Sequence, residues 1–551
     1  MNCFKGGYAF ALAFIFQFAL LPADVSGDSR IDLPASVTVS VPAAGTESPV
    51  SAASGMGDGS PGAPAAHSGS DGEEPAAAVN LTLEAFIGKR EITVLADGDE
   101  RFVAGLVDNR ISEDETITRL DETHLPESIR AGRTFSREGL AALARADQAK
   151  AQTGQALALL LPSVIVRYSK GSETSEPSVA LDENGVAIAS DTHSRTDYSL
   201  LVRQPLFDLP GYMDWRRRSV IEQARQESHR VADGDAYIAT VNAYLSLVSS
   251  RLQTDMTRDF EAQLADLLSY IEKRASAGAS SPADMARVRA RRQAALSSRL
   301  EQESAHAAAG IEFIRLTNLV PQRVRLPSLE DVGASLLPSA FDQAVAMAMK
   351  VNPEISALAA EVRAAEIDKT VAKGRFLPRV DAEYTYSHAL HAGGDTDPDG
   401  QTDKRSMIVL NWSLFNGGGD YHYHAERTAR HRELQYRLDD QRRRVAQTLS
   451  ANYATLATTR ERIRSGYSEL KAISVAAEAM SKRMLSGNQS LLDLLDVYDR
   501  LYQARTRLVT LHVLEISTVA QLLRLTLGTP WAVSQYMTAV PGQTPVLQTT
   551  N

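Results

Sequence analysis

The chain has 551 residues and a formal net charge of −10 at pH 7, and 44% of its residues are hydrophobic. This length and composition are enough for a sizeable core, while the acidic balance argues against a nucleic-acid binder. The single cysteine, Cys3, excludes a disulfide framework and a cysteine-ligated metal site, so packing must supply the stability of any ordered part.

The first residues have the features of an export signal. Lys5 supplies a positive charge, and the apolar run YAFALAFIFQFALL follows it. We therefore predict a signal peptide over residues 1–27. No later run of eighteen apolar residues is evident, so the sequence predicts no transmembrane helix after the signal.

Three further segments are predicted from composition. Residues 28–79 are rich in Ala, Ser, Gly and Pro and cannot bury enough apolar surface to offset chain entropy, so we predict disorder there. Residues 80–136 are mixed and acidic, and we interpret them as an N-terminal acidic extension of the exported chain. Residues 531–551 are predicted to form a flexible C-terminal tail.

Between these segments the chain repeats itself at a distance of roughly 210 residues. The stretches LLPSV and FLPRV each join a helical pattern to a strand, and PLFDLPG and SLFNGGG each close a second strand. Later, KRASAGASSPADM matches KRMLSGNQSLLDL. The sequence thus predicts two repeats, residues 137–321 and 341–530, each built as helix, strand, strand and two long helices. Residues 322–340 are the predicted connector.

The predicted strands alternate between apolar and polar side chains. In VDAEYTYS, one face carries Val380, Ala382, Tyr384 and Tyr386. In the last strand, one face is predicted to carry Ile408, Leu410, Trp412 and Leu414. Alternation over about ten residues suits a tilted membrane strand, but a soluble hairpin has the same pattern, so the strands alone leave both interpretations open.

The helices favour the membrane interpretation. Residues 420–486 contain no proline and one glycine, Gly466, and a helix of this length is on the order of 100 Å long. A coiled-coil seam recurs every seven residues, at Leu449, Leu456, Ile463, Leu470, Ala477 and Met484. Because four strands cannot close a membrane barrel, and open edges are not tolerated in lipid, several copies must assemble.

The order and spacing of these segments resemble the TolC family of outer-membrane export channels, over residues 137–530. The resemblance implies a mainly α-helical chain with membrane β-strands, in a duplicated helix-strand-strand-helix arrangement. It also implies a homotrimer that forms a twelve-stranded outer-membrane β-barrel and a long α-helical coiled-coil tunnel through the periplasm.

The function that this resemblance implies is a passive exit duct of a tripartite efflux or type I secretion system. Its partners would be outer-membrane lipid, a periplasmic adaptor (a membrane fusion protein) and an inner-membrane pump, either ABC or proton-driven. Neither enzyme activity nor a cofactor or metal ion is implied, and nucleic acid is not an expected partner. The alternative is a periplasmic coiled-coil adaptor or structural protein of an export complex.

In this family the turns between the long helices form periplasmic tips on which an adaptor docks. The resemblance therefore assigns docking to two turns. In the first repeat these residues are Ala277, Gly278 and Ala279, and in the second they are Ser486, Gly487 and Asn488. Glycine suits such turns because helices commonly end in a left-handed residue.

Just beyond the second turn, Asp493 and Asp496 lie three residues apart on one helical face. The resemblance implies that they and Asp284 line a gated periplasmic entrance. Two other interpretations are solvated acids favoured by the helix macrodipole, and a hydrolase acid/base pair, which would need a substrate cleft. In relatives a tyrosine and an arginine latch the entrance. Met484 and Gln489 occupy the matching positions here, so closure must depend on other contacts.

Overall fold

The computed structural model describes five stretches of the chain: residues 83–94, 118–174, 192–394, 399–486 and 489–528. All of them lie in the second of two structural units, residues 70–551. The predicted signal peptide, disordered segment and C-terminal tail lie outside the described residues, and the boundaries assigned to them stay predictions.

Within the described stretches the chain forms nine α-helices, two short 3-10 helices and seven strands. The helices are α1 (Leu83–Ile87), α2 (Leu125–Phe135), α3 (Arg137–Ala158), α4 (Leu209–Ser276), α5 (Pro282–Thr317), α6 (Phe341–Val351), α7 (Pro353–Gly374), α8 (Gly419–Leu485) and α9 (Leu491–Leu527). The strands are β1 (Glu91–Thr93), β2 (Thr118–Thr123), β3 (Ser163–Glu173), β4 (His193–Phe207), β5 (Leu319–Arg325), β6 (Arg379–Leu390) and β7 (Gln401–Asn411). The series α3-β3-β4-α4-α5 recurs as α7-β6-β7-α8-α9, so the predicted duplication is present.

Side-chain caps fix where the repeat helices begin. Asp208 accepts a hydrogen bond from the backbone N–H of Gly211 at 2.9 Å and so starts α4 directly after β4. Asn352 accepts one from the N–H of Glu354 at 2.9 Å, ahead of a proline in the first turn of α7. Each cap satisfies an N–H that has no partner inside its helix.

The long helices α4 and α8 have 68 and 67 residues. Every residue of the predicted seam is buried, from Leu449 to Met484. A Cβ added at Gly466 would lie 2.9 Å from the side chain of Leu508 on α9, so the missing side chain permits close packing there. The seven-residue spacing therefore predicted the packed face of α8 correctly.

A four-stranded antiparallel sheet has the order β3-β4-β6-β7, with β3 and β7 at its edges. The register aligns Val166, Leu200, Tyr386 and Lys404 in one row across the sheet. Because side chains alternate along a strand, even-numbered residues share one face over most of the sheet and odd-numbered residues share the other. This confirms the face predicted for residues 380–386.

The two faces differ in chemistry. The even face is mainly apolar and exposed, with Val166 at 76%, Ile408 at 74% and Leu410 at 60% exposure. The odd face is charged: Arg203 lies 2.6 Å from Asp381 and 3.4 Å from Glu383. A sheet with one apolar and one charged face suits a wall between lipid and water.

The end of β7 differs from the prediction. The strand ends at Asn411, so Trp412 and Leu414 do not extend its apolar face. The indole N–H of Trp412 donates instead to the carbonyl of Phe376 at 3.1 Å. A glycine turn with positive φ at Gly418 then leads into α8.

The predicted N-terminal extension takes part in a second sheet, with the order β1-β5-β2. Strand β1 pairs antiparallel and β2 parallel with β5, which follows α5. Beside this sheet lies the equatorial core, a buried cluster that includes Tyr237, Tyr244, Leu449 and Val519. A separate buried cluster, the tip-side core, includes Leu264, Ile271, Val288, Leu494 and Leu508.

The sequence predicted no transmembrane helix after the signal, yet among the described helices α9 alone is long and apolar enough to cross a membrane. In the most apolar stretch of α9, 67% is buried inside the protein. Burial against α8 and α4 explains its apolar composition, as in a core helix.

Candidate functional site

The first tip, residues 277–281, joins α4 to α5. Gly278 has φ +73°, and the N–H of Ala279 donates to the carbonyl of Arg274 at 2.8 Å. The left-handed glycine and the backward hydrogen bond end α4 in the manner of a Schellman motif. The hydroxyl of Ser281 then accepts from the N–H of Ala283 at 3.0 Å and starts α5. The predicted docking residue Ala277 lies in this turn and is exposed.

The second tip, residues 486–490, joins α8 to α9. Ser486 follows α8, and its hydroxyl donates to the carbonyl of Arg483 at 2.9 Å. Gly487 and Asn488, both predicted docking residues, lie outside the described residues. Beside this turn Leu485 and Leu492 are 67% and 54% exposed, which is unusual for leucine.

Each of the three predicted gate acids has a partner on or directly before its own helix. The side-chain amide of Gln489 donates to Asp493 at 3.1 Å. Asp496 forms an ion pair with Arg500 at 3.0 Å, and Asp284 forms one with Arg287 at 3.2 Å.

Within one chain the contacts of the three acids are therefore local to their own helices. The partner of Asp493 is an uncharged amide, which brings no opposite charge to the carboxylate. The charge of Asp496 is offset by Arg500 at 3.0 Å. Both acids stand in the first turns of α9, where the helix macrodipole favours negative charge, as the solvated-acid interpretation also requires.

Contacts between the two hairpins, α4–α5 and α8–α9, lie close above the tips. The hydroxyl of Tyr270 on α4 donates to the main-chain carbonyl of Met484 on α8 at 3.1 Å. Met484 is buried, and its side chain belongs to the tip-side core. The position that lacks the expected latch tyrosine thus receives a tyrosine from the other hairpin.

Two further contacts join the hairpins. The guanidinium of Arg291 on α5 lies 2.6 Å from the carboxylate of Asp499 on α9. The ring of Tyr502 stacks on Phe260 at 4.9 Å between centroids, and its hydroxyl is 2.9 Å from that of Thr257. The sequence predicted neither these two contacts nor the one between Tyr270 and Met484. Arg291 stands in a run of arginines that is typical of a solvated face, and no spacing links it to Asp499.

Farther from the tips, Tyr467 on α8 and His512 on α9 form a buried pair. The tyrosine oxygen and Nε2 of the imidazole are 2.9 Å apart. Burial raises the pKa of Tyr467 to about 12 and lowers the pKa of His512. Both side chains are therefore neutral at pH 7.

No described residues form a group of three or more His, Cys, Asp or Glu that could hold a metal ion. The described residues of the tips thus present a charged surface of defined shape to a binding partner. A cleft between Asp493 and Asp496, which the hydrolase interpretation requires, would need them to face each other. They instead lie one turn apart on a single helix.

Comparisons with known proteins agree with this geometry. Residues 344–528 match the family described as Outer membrane efflux protein. The alkaline protease secretion protein AprF of Pseudomonas aeruginosa is 22% identical over 357 residues, which cover 64% of this chain and 73% of AprF.

Two solved outer-membrane channels have the same fold. OprN superposes with a TM-score of 0.64 at 18% identity, over 73% of this chain and 90% of OprN. CmeC of Campylobacter jejuni superposes with a TM-score of 0.64 at 14% identity, over 75% of this chain and 88% of CmeC. The predicted fold and the resemblance to the TolC family are confirmed: residues 344–528 carry an outer membrane efflux protein domain, and the chain has the fold of TolC-like outer-membrane channels.

Proposed function

We propose that three copies of this chain form a passive duct, which carries cargo from the periplasmic tips through the outer membrane. The observation that carries the proposal is the four-stranded sheet with two open edges and one exposed apolar face. In lipid every backbone polar group needs an internal partner, so such a sheet must be completed by other copies.

Three four-stranded sheets supply twelve strands, an even number within the range of outer-membrane barrels. In this arrangement β7 of one copy pairs with β3 of the next. The even face then meets lipid, and the charged row of Arg203, Asp381 and Glu383 lines the lumen. The alternative, a periplasmic adaptor, would leave the apolar even face in water, which is costly.

The entrance is proposed to lie at the tips and to be gated by the contacts between the hairpins. Tyr270, Arg291 and Tyr502 hold the second hairpin against the first in the resting state. Opening breaks these contacts, and energy for it comes from partner proteins, since the duct itself carries out no reaction. Asp493 and Asp496, with Asp284, supply negative charge around the entrance.

The partners are proposed to be a periplasmic adaptor and an inner-membrane pump. The exposed Leu485 and Leu492 beside the second tip, together with the small residues of the first tip, suit an adaptor that packs helix ends against them. AprF is named for protease secretion, and this supports protein cargo. OprN and CmeC are outer-membrane channels. The pump, ABC or proton-driven, selects the cargo.

A pair of neighbouring substitutions tests the duct. Ile408→Lys puts a charge on the even face, and Met407→Lys puts the same charge on the odd face of the same strand. A lysine facing lipid costs up to about 2–4 kcal/mol. We expect Ile408→Lys to reduce heat-resistant trimers in the outer-membrane fraction, while Met407→Lys leaves them at the wild-type level. Recovery of the unaltered protein as a soluble periplasmic monomer would overturn the proposal.

A further inference from the structure

The segment Leu83–Val94, which we call the N-terminal strap, touches both hairpins. We propose that the strap restrains the second hairpin against the first and so acts as a brake on opening of the periplasmic entrance. The inference rests on the proposed function, because it assigns a regulatory role to a segment outside the two repeats.

The strap is fixed to the first hairpin by main-chain hydrogen bonds. Strand β1 pairs with β5, the strand that follows α5. The N–H of Val94 donates to the carbonyl of Gln322 at 3.0 Å, and the N–H of Leu326 donates to the carbonyl of Arg90 at 2.8 Å. The side chains of the same two strands add an ion pair, between Glu91 and Arg323 at 3.0 Å. This end of the strap is part of a sheet and cannot move independently of β5.

A buried histidine adds a second attachment to the same hairpin. Nε2 of His306 on α5 lies 2.5 Å from the carbonyl oxygen of Val94, which fixes Nε2–H as the donor. Nδ1 of the same ring is 3.1 Å from the hydroxyl of Ser250 on α4. The end of the strap is thereby tied to both helices of the first hairpin.

The strap reaches the second hairpin through one aromatic side chain. The ring of Phe86 meets the ring of Tyr467 on α8 edge to face, with 6.0 Å between centroids and 85° between planes. Phe86 packs against the equatorial core and against the tip-side core as well. Tyr467 in turn holds His512 on α9, so Phe86 contacts a pair that joins both helices of the second hairpin.

The contact between Phe86 and Tyr467 lies far from the tip of α8, so it can limit a larger movement at the tip. Tyr467 precedes the end of α8 at Leu485 by eighteen residues, or about 27 Å of helix. A rigid helix that tilts about a point near the strap moves farther at its tip than at the strap. Holding α8 at Phe86 therefore limits a larger movement at the entrance, and releasing Phe86 permits it.

The first test compares two alanine variants of the full chain in planar bilayers. Phe86→Ala removes the contact with Tyr467. Ile87→Ala removes a neighbouring apolar side chain that packs against the equatorial core alone. We expect Phe86→Ala to raise the frequency of large-conductance openings several-fold and Ile87→Ala to leave it near wild type. Phe86→Tyr keeps the aromatic ring, so this variant should open at the wild-type frequency.

The second test locks the strap. Phe86→Cys and Tyr467→Cys, in a Cys3→Ser background, are joined by a short bis-maleimide in assembled trimers. We expect cross-linked trimers to open less often than the same trimers before cross-linking. Equal opening before and after cross-linking would overturn the brake, even if Phe86→Ala proved unable to assemble.

The two proposals fail in different ways. If Arg291→Ala increases opening while Phe86→Ala does not, the strap is only structural and the duct stands. If wild-type trimers conduct no ions at all, under any voltage or with any variant, the duct itself is refuted.

Discussion

The guanidinium of Arg291 lies 2.6 Å from the carboxylate of Asp499, and this ion pair joins the returning helices of the two hairpins. The arginine is 43% and the aspartate 24% exposed, so water screens the pair only in part. An exposed pair contributes about 0–1 kcal/mol, which is small against the stability of a domain but shifts the population of a gate severalfold.

Arg291→Ala is therefore expected to increase spontaneous channel openings several-fold without loss of assembled trimers. Arg289→Ala is the matched control, because Arg289 pairs with Glu272 inside the first hairpin at 3.1 Å. The exchange of Arg291→Asp with Asp499→Arg should return opening toward wild type. Single-channel recording measures all three, and an equal effect of Arg289→Ala would show that general charge loss is responsible.

The acids near the second tip should set ion selectivity unequally. Asp496 is paired with Arg500, whereas Asp493 receives only an amide hydrogen bond. We expect Asp493→Asn to reduce cation preference more than Asp496→Asn does, and the double variant to reduce it most. Reversal potentials across a salt gradient, and block by a trivalent cation, report the change.

Glu461→Gln is the control for these acids, since Glu461 forms its ion pair with Arg464 far along α8 from the tip. It should leave selectivity unchanged. If ion selectivity is identical in the wild type and in the Asp493→Asn, Asp496→Asn double variant, these acids do not line the entrance.

A packed glycine should control the docking of the extension onto α4. A Cβ at Gly132 would overlap the hydroxyl of buried Thr240 and lie 3.0 Å from its Cβ. Gly132→Ala is expected to destabilise the protein by about 1–3 kcal/mol, as overpacking does. Gly154→Ala on α3 meets no atom within 4 Å and should stabilise it, by up to about 1 kcal/mol.

Thermal unfolding in detergent measures both glycine variants. Adding Thr240→Ala to Gly132→Ala should recover part of the lost stability, because it removes the overlapping hydroxyl. An unchanged midpoint in Gly132→Ala would mean that α2 does not pack on α4 in this way.

Stability should fall as the pH falls from 7.5 to 5.5. Burial depresses the pKa of His512 below its usual value of 6.5, so the unfolded chain takes up a proton that the folded chain resists. The loss begins as the pH drops through the usual histidine value and ends below the folded-state pKa. His431, whose pKa burial and Lys369 also lower, adds a loss of the same sign.

His512→Gln should therefore flatten the dependence of the unfolding midpoint on pH over this range. His422→Gln, at an exposed position, serves as the control and should leave the slope as it is in the wild type. A slope that His512→Gln does not alter would assign the effect to other groups.

Patterns with short periods predicted much of the fold. The seam from Leu449 to Met484 follows from spacing along one helix, and the faces of β6 follow from alternation along one strand. The duplicated order of elements then predicted the family. Such features can be predicted without knowing which distant segments of the chain are in contact.

The contacts between the hairpins and those of the strap depend on that knowledge. Arg291 and Asp499 come from different repeats, and neither lies in a distinctive motif. Strand β7 was predicted too long because alternation continued through Trp412, where the backbone had already left the sheet. The acids were predicted to line the entrance, but one chain shows only their local partners.

The three-stranded sheet also sets the order in which the chain can fold. Glu91 and Arg323 are 232 residues apart, and β5 is the shared partner of β1 and β2. The chain is exported with its N-terminus first. Leu83, Ile92 and Val94 therefore reach the periplasm long before β5, the strand that buries them. Closing such a long loop is slow. The strap segment must therefore stay unpaired, and open to chaperones or proteases, until most of the first repeat has crossed into the periplasm.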